Sequence, residues 1–213
     1  MKRCLDIISA ALGVLLLSPL LLLTALLIRW RLGAPVLFRQ QRLGRGAEIF
    51  SLFKFRTMTS EVDGEGRLLP DHLRLTPLGR FLRKTSIDEL PELINVLRGE
   101  MSLVGPRPLL PRYLPYFTEA EKVRFEVRPG ITGWAQIHGR NLLCWAKRFE
   151  LDTWYVRHRS LFLDLRILYR TLAVVLTRRG AEVDPGRIML DLDQERAGRD
   201  NNPTWRSTGE PGG

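Results

Sequence analysis

Residues Ile7 to Ile28 read "IISAALGVLLLSPLLLLTALLI", and the way this run folds decides what kind of protein follows. It carries no charged residue. As one helix it would be ~33 Å long, enough to cross the apolar core of a bilayer. A secretory signal would have a shorter apolar core and a small-x-small cleavage site, and none precedes Arg29. Two readings remain: a kinked helix that spans, or a hairpin that dips in, bends at Ser18-Pro19 and returns. Proline within the run removes a backbone hydrogen bond, and a serine hydroxyl can satisfy the freed carbonyl, so a bend is tolerable in lipid. The flanks favour the return. Lys2 and Arg3 precede the run, Arg29 and Arg31 follow it, and basic flanks are held on the cytoplasmic side. Trp30 suits the interface. Asp6 is expected to pair with a flanking arginine.

Outward from the insert, the chain has 213 residues and a formal charge of +10. This length suggests one domain with appendages. The basicity belongs to the body. Residues 181–213 hold 4 basic and 7 acidic side chains, leaving 29 and 16 in the first 180. Candidate partners of such a body are nucleic acid, an anionic membrane and phosphorylated substrates. Nucleic acid is the weak candidate, because many of the basic residues flank apolar, membrane-type segments rather than alternating with stacking aromatics. Cys4 and Cys144 form no disulfide framework and read as small buried packing residues. The three histidines have no zinc spacing.

The pattern predicts an α+β fold, mainly helical. Residues 1–32 are the membrane insert, 33–180 the catalytic body and 181–213 a disordered tail rich in Gly, Pro, Asp and Asn. Pro35 to Met58 reads as a β-hairpin turning at Gly44-Arg45-Gly46. Thr76-Pro77 starts a short basic helix. "MSLVG" (101–105) reads as a short strand, Thr118 and Glu121 as a capping box, and Arg128 to Asn141 as an ordered Gly-rich loop. One helix is expected from Trp145 to Arg157. Another, capped by Ser160, is expected to lie amphipathically in the membrane plane, with a buried core helix as the alternative.

"TSIDELPELINVLRGEMSLVGPRP", Thr85 to Pro108, holds the candidate chemistry. Ser86 and Glu89 fit a capping box, and Gly99 stops the helix. Asp88 and Glu89 in a first helical turn are stabilised by the helix dipole whatever else they do. Neighbouring helical side chains point ~100° apart, so the two acids would serve different roles, one attacking and one positioning or taking a proton. Either could hold Mg²⁺, which prefers carboxylate and phosphate oxygens. Gly105-Pro106-Arg107-Pro108 fixes the backbone around one arginine, a residue suited to gripping phosphate. Lys54 and Arg140 add distant cations. Together these features point to phosphoryl chemistry at a membrane surface, with a non-catalytic membrane adaptor as the alternative.

The stretches "KRCLDIISA", "SPL", "FKFRTM", "LRLTPLGRFLRKTSIDELPELINVLRGEMSLVGPRPLL", "VRPGITGWAQIHGRN" and "FELDTWYV" resemble, in this order, the monotopic phosphoglycosyl transferases of bacterial glycoconjugate and exopolysaccharide assembly. The resemblance spans roughly Lys2 to Arg179 and is strongest to the small bacillosamine-type members. It covers their minimal catalytic unit. It implies transfer of a phosphosugar from a UDP-sugar to polyprenol (undecaprenyl) phosphate with release of UMP, through a covalent intermediate and with Mg²⁺. An N-acetylated hexosamine is the expected sugar, with galactose or glucose as runner-up. By the same resemblance Asp88 is the nucleophile, Glu89 its acidic partner at the metal, and Arg107, Arg140 and Lys54 bind substrate phosphates. The insert would be re-entrant, a helix-break-helix bending at Ser18-Pro19, with the body on the cytoplasmic face of the inner membrane. The expected partners are the UDP-sugar, polyprenol phosphate, membrane lipid and a second copy of the chain as homodimer.

Overall fold

The computed structural model of the protein describes residues 2–139, 143–177 and 191–200. Helix α1 (Lys2–Arg31) runs through Pro19 without interruption. Helical backbone thus continues across Ser18-Pro19, where a break was expected. Pro19 cannot donate to the carbonyl four residues back, and the Ser18 hydroxyl donates to that carbonyl, Leu15 O, at 2.7 Å. The satisfied carbonyl explains how the helix tolerates the proline.

Both arms of α1 lie against the same body. In the first arm Ala10 packs with Phe50, Leu52, Leu93, Val96 and Met101. In the second, Ile28 packs with Phe55 and Leu82. The opposite face is bare hydrocarbon, led by Leu15 and Leu16 at 69% and 75% exposure. Asp6 pairs with no flanking arginine. Its carboxylate accepts from Ser102 Oγ at 2.8 Å and Leu103 N at 3.2 Å. Lys2 donates to Val104 O at 3.2 Å and pairs with Asp164. Thus the first turns of the insert grip the strand that leads into Gly105-Pro106-Arg107-Pro108. Cys4 and Cys144 are both exposed, contrary to their expected burial, Cys4 on the apolar outer face of the helix.

The predicted hairpin is present as β1 (Leu37–Leu43) and β2 (Ile49–Phe55), antiparallel with Leu37 opposite Phe55. After the four-residue α2 (Asp71–Arg74), α3 (Pro77–Thr85) starts as predicted, with Thr76 Oγ1 accepting from Gly79 N at 3.0 Å. A 3-10 turn, Ile87–Glu89, leads to α4 (Glu92–Arg98), which ends at Gly99 with φ 88°. The buried Asn95 of α4 ties this segment to the hairpin. Its amide accepts from Phe53 N at 3.0 Å and donates to Ser51 O at 2.7 Å.

Strand β3 (Ser102–Val104) pairs in parallel with β4 (Gly130–Thr132), so Gly105-Pro106 and Pro129-Gly130 meet. A Cβ on Gly130 would stand 2.1 Å from Gly105 N, which is why glycine is needed at this crossing. Between them lies α5 (Glu119–Lys122), opened by the predicted Thr118–Glu121 capping box. The expected loop at 128–141 contains β4 and α6 (Trp134–Ile137).

Helices α7 (Trp145–His158) and α8 (Leu161–Thr177) complete the body, and Ser160 Oγ caps α8 by accepting from Leu163 N. Leu163 and Ile167 of α8 are buried, while Phe162, Leu165, Tyr169 and Leu172 form an exposed apolar row on the other side. The predicted tail is in part structured. Helix α9 (Leu192–Asp200) places Leu192 in the core with Tyr113, Phe117 and Phe149, and Arg196 pairs with Glu121 at 2.6 Å. Among the described residues, its polar composition hid the buried Leu192 and three ion-pairing residues, Asp191, Asp193 and Arg196.

Asp6→Ala should lower stability by about 1–3 kcal/mol, since it strands the Leu103 amide as well as the Ser102 hydroxyl. Ser102→Ala should cost less, because the Leu103 amide keeps its acceptor. Thermal unfolding in detergent micelles checks the order.

Candidate active site

Lys54 sits on β2 two and four residues after Leu52 and Phe50, so it shares their inward face and points towards the segment of Asp88 and Glu89. Its Nζ lies 2.7 Å from Glu89 Oε1 and 3.2 Å from Glu92 Oε1. Arg107 Nη2 reaches the same Glu89 Oε1, also at 2.7 Å. One carboxylate oxygen thus receives two cations from chain segments 35 and 18 residues away. Lys54, Glu89 and Arg107, each expected from the sequence as a site residue, meet here. Arg140 lies outside the described residues.

The expected capping box at Ser86 is absent. Ser86 adopts φ 58°, ψ 17° as the end of α3 and makes no side-chain cap bond. A helix N-cap needs extended backbone, and the left-handed turn here rules it out. Glu89 is consequently free to turn away from the backbone and face Lys54 and Arg107. Asp88, its neighbour, is 8% exposed and makes no hydrogen bond or ion pair among the described residues. The two acids therefore differ in environment, as their angular separation suggests.

Electrostatics sharpen the difference. Burial, and then the Glu89 charge, push the Asp88 carboxyl up to about 6. Burial also opposes ionisation of Glu89, but Arg107 and Lys54 overcome it and hold that carboxyl well below the usual carboxylate range. Glu89 in turn raises the Arg107 guanidinium. The buried Glu92 is pushed up by desolvation and then by Glu89, since a second anion beside one lysine is disfavoured.

Asp88, Glu89, Lys54 and Arg107 line a cleft of about 1570 Å³, in which, among the described residues, eight Arg and Lys side chains face four carboxylates. Sequence reasoning missed several of them. Arg42, on β1, donates to Pro108 O at 3.3 Å; burial and then the charge of Arg107 lower its guanidinium to about 10. Arg83 donates from Nε to Thr57 Oγ1 at 3.1 Å and acts on the charge of Asp88. Their signal in the sequence is a basic residue inside a strand or a helix end, which resembles ordinary surface charge. Such a cleft is suited to a polyanionic substrate and a carboxylate nucleophile.

The family pattern of the bacterial sugar transferases matches residues 1–178. The chain belongs to that family. Among similar proteins, this sugar transferase is 53% identical to the uncharacterized sugar transferase EpsL of Bacillus subtilis, over 85% of its own length and 90% of that protein. It is 42% identical to the UDP-glucose:undecaprenyl-phosphate glucose-1-phosphate transferase of Caulobacter vibrioides, covering 84% of this chain and 71% of that one. It is 40% identical to an Aeromonas hydrophila protein named for transfer of N-acetylgalactosamine phosphate from its UDP-sugar to undecaprenyl phosphate. There the match covers 84% of this chain and 44% of the longer relative.

The raised carboxyl of Asp88 sets a pH dependence. The unfolded chain loses this proton near 3.8 and the folded one near 6, so the native state loses stability as pH rises through that window, by at most about 3 kcal/mol. Asp88→Asn should therefore melt above the wild type at pH 8, with the advantage vanishing towards pH 4. Equal melting at pH 8 would show that Asp88 is not desolvated.

Proposed function

We propose that this sugar transferase moves a phosphosugar from a UDP-sugar to polyprenol phosphate, releasing UMP, through a covalent aspartyl-phosphosugar on Asp88. One observation carries the reading: a buried carboxylate without a partner among the described residues stands beside a Glu89–Lys54–Arg107 cluster in a cationic cleft. An Asp88 oxygen attacks the β-phosphorus, and the bond from that phosphorus to the bridging oxygen breaks as UMP departs. A phosphate oxygen of the polyprenol phosphate then attacks the same phosphorus. The aspartyl bond breaks, and the carboxylate is restored. Splitting the transfer this way lets a soluble donor and a lipid acceptor use the site in turn. Arg107 neutralises phosphate charge. Glu89, held ionised by two cations, is too weak a base to take a proton efficiently near neutrality, so it organises the cations instead.

The donor set suits Mg²⁺. The oxygens of Asp88 and Glu89 Oε2 have no hydrogen-bond partner among the described residues, and hard carboxylate oxygens with substrate phosphates and water are what this ion prefers. Bound there, Mg²⁺ would supply further neutralisation of the phosphates.

The docking of both arms of α1 on one body supports a re-entrant insert with both ends on one side of the membrane. Basic flanks would hold that side, and the catalytic body, at the cytoplasmic face of the bacterial inner membrane, where nucleotide sugars are made. The exposed row Phe162, Leu165, Tyr169, Leu172 supports α8 lying in the interface, with Arg166 and Arg170 near anionic headgroups. The sequence resemblance favours an N-acetylated hexosamine. The names of the Caulobacter and Aeromonas relatives make UDP-glucose and UDP-N-acetylgalactosamine the first donors to compare.

The test is UMP release from a panel of UDP-sugars with Mg²⁺ and detergent-dispersed undecaprenyl phosphate. Asp88→Asn should lose at least about 1000-fold in rate, in line with loss of a nucleophile. Retained release in Asp88→Asn would sink the assignment. For topology, after Cys4→Ser and Cys144→Ser, a cysteine added ahead of Lys2 and one at Ala34 should be labelled by a membrane-impermeant thiol reagent from the same side. Opposite sides would mean a spanning helix.

A further inference from the structure

The Glu89–Lys54–Arg107 cluster does not use "FELDTWYV", a stretch the sequence singles out, or the segment before "RPGITG", which reads as surface charge. They meet beneath Arg107. Arg124 is 3% exposed and Asp152 2%. Arg124 Nη2 donates to Asp152 Oδ2 at 3.0 Å and to Arg107 O at 2.7 Å. The rings of Phe117, Phe125 and Phe149 surround the guanidinium at 5.5 to 5.6 Å.

We propose that Arg124 and Asp152 are a positioning pair for Arg107: the buried ion pair aims one N–H at the Arg107 carbonyl and so fixes where the Arg107 guanidinium meets Glu89 and the substrate phosphate. The proposal rests on the reading of Arg107 as a phosphate-binding residue. A buried ion pair adds little net stability, because desolvation offsets the attraction, so two well-packed apolar residues could replace it for packing alone. They could not supply a donor to the Arg107 carbonyl. The flanking prolines, Pro106 and Pro108, lack N–H groups and limit the local backbone bonds that could hold this turn. The neighbouring Pro108 carbonyl is held by Arg42 at 3.3 Å, so side-chain donors grip the loop at both positions. Asp152 holds Arg124 in place and acts through it.

The test is a cycle in the full-length protein in detergent. Arg124→Met with Asp152→Leu removes the pair without leaving a lone buried charge. It should lower kcat/KM for UMP release at least 10-fold in the wild-type background and less than twofold in Arg107→Ala. Hydrogen exchange of the Gly105 and Arg107 amides should quicken, while that of α3 should not. An equal loss in both backgrounds would overturn the proposal, because it would show a general structural role. Unchanged kcat/KM with unchanged exchange would overturn it too. If the double variant does not fold, Arg124→Lys takes its place in the same cycle, since it keeps the charge but shortens the reach, with the same two results deciding. A wild type silent towards every UDP-sugar would refute the reaction and leave the pair to the exchange readout alone. Quickened exchange confined to the Gly105–Arg107 turn would then support the pair, and unchanged exchange would overturn it.

Discussion

A single oxygen, Glu89 Oε1, receives Lys54 from the hairpin and Arg107 from the loop after β3. That shared acceptor is the constraint around which the body is arranged. Two cations could not sit this close without an anion between them, and the anion could not stay ionised in a partly buried site without the cations. With Glu89 committed to the cations, Asp88 next to it is left buried and raised to about 6. The difference between the adjacent acids thus arises from which one the cations reach.

Each cation needs its own support. Lys54 is placed by β2, and Asn95 bonds β2 to the helix that follows the two acids. Arg107 follows β3, and β3 is held by Asp6 and Lys2 of the apolar helix. The apolar helix is therefore part of the scaffold of the Arg107 loop. Its first turns are polar on the side facing β3, while its remaining faces are hydrocarbon, which is the pattern expected of a helix that must satisfy a protein and a lipid at once.

Elements governed by local chemistry were legible in the sequence. The hairpin, the Thr76-Pro77 helix start, the Gly99 stop and the Thr118 capping box follow from turn, cap and proline rules acting over a few residues. The grouping of Lys54, Glu89 and Arg107 was reached through charge type and family resemblance. What stayed hidden depends on distant partners. The Ser86 cap fails because the backbone between two short helices turns left-handed there, and no local pattern announces that. Asp6 meets Ser102 rather than an arginine, Arg124 lies buried in a stretch that reads as surface charge, and Leu192 is buried in a polar tail. Each is a case where tertiary contact overrides composition.

The account is tested most directly by mass spectrometry of the protein quenched in acid after incubation with its UDP-sugar donor and Mg²⁺, without lipid acceptor. The account predicts a mass increase equal to one phosphosugar on the tryptic peptide Thr85–Arg98, absent in Asp88→Asn and discharged when polyprenol phosphate is added. UMP release with no adduct on any peptide, or an adduct that persists in Asp88→Asn, would contradict it.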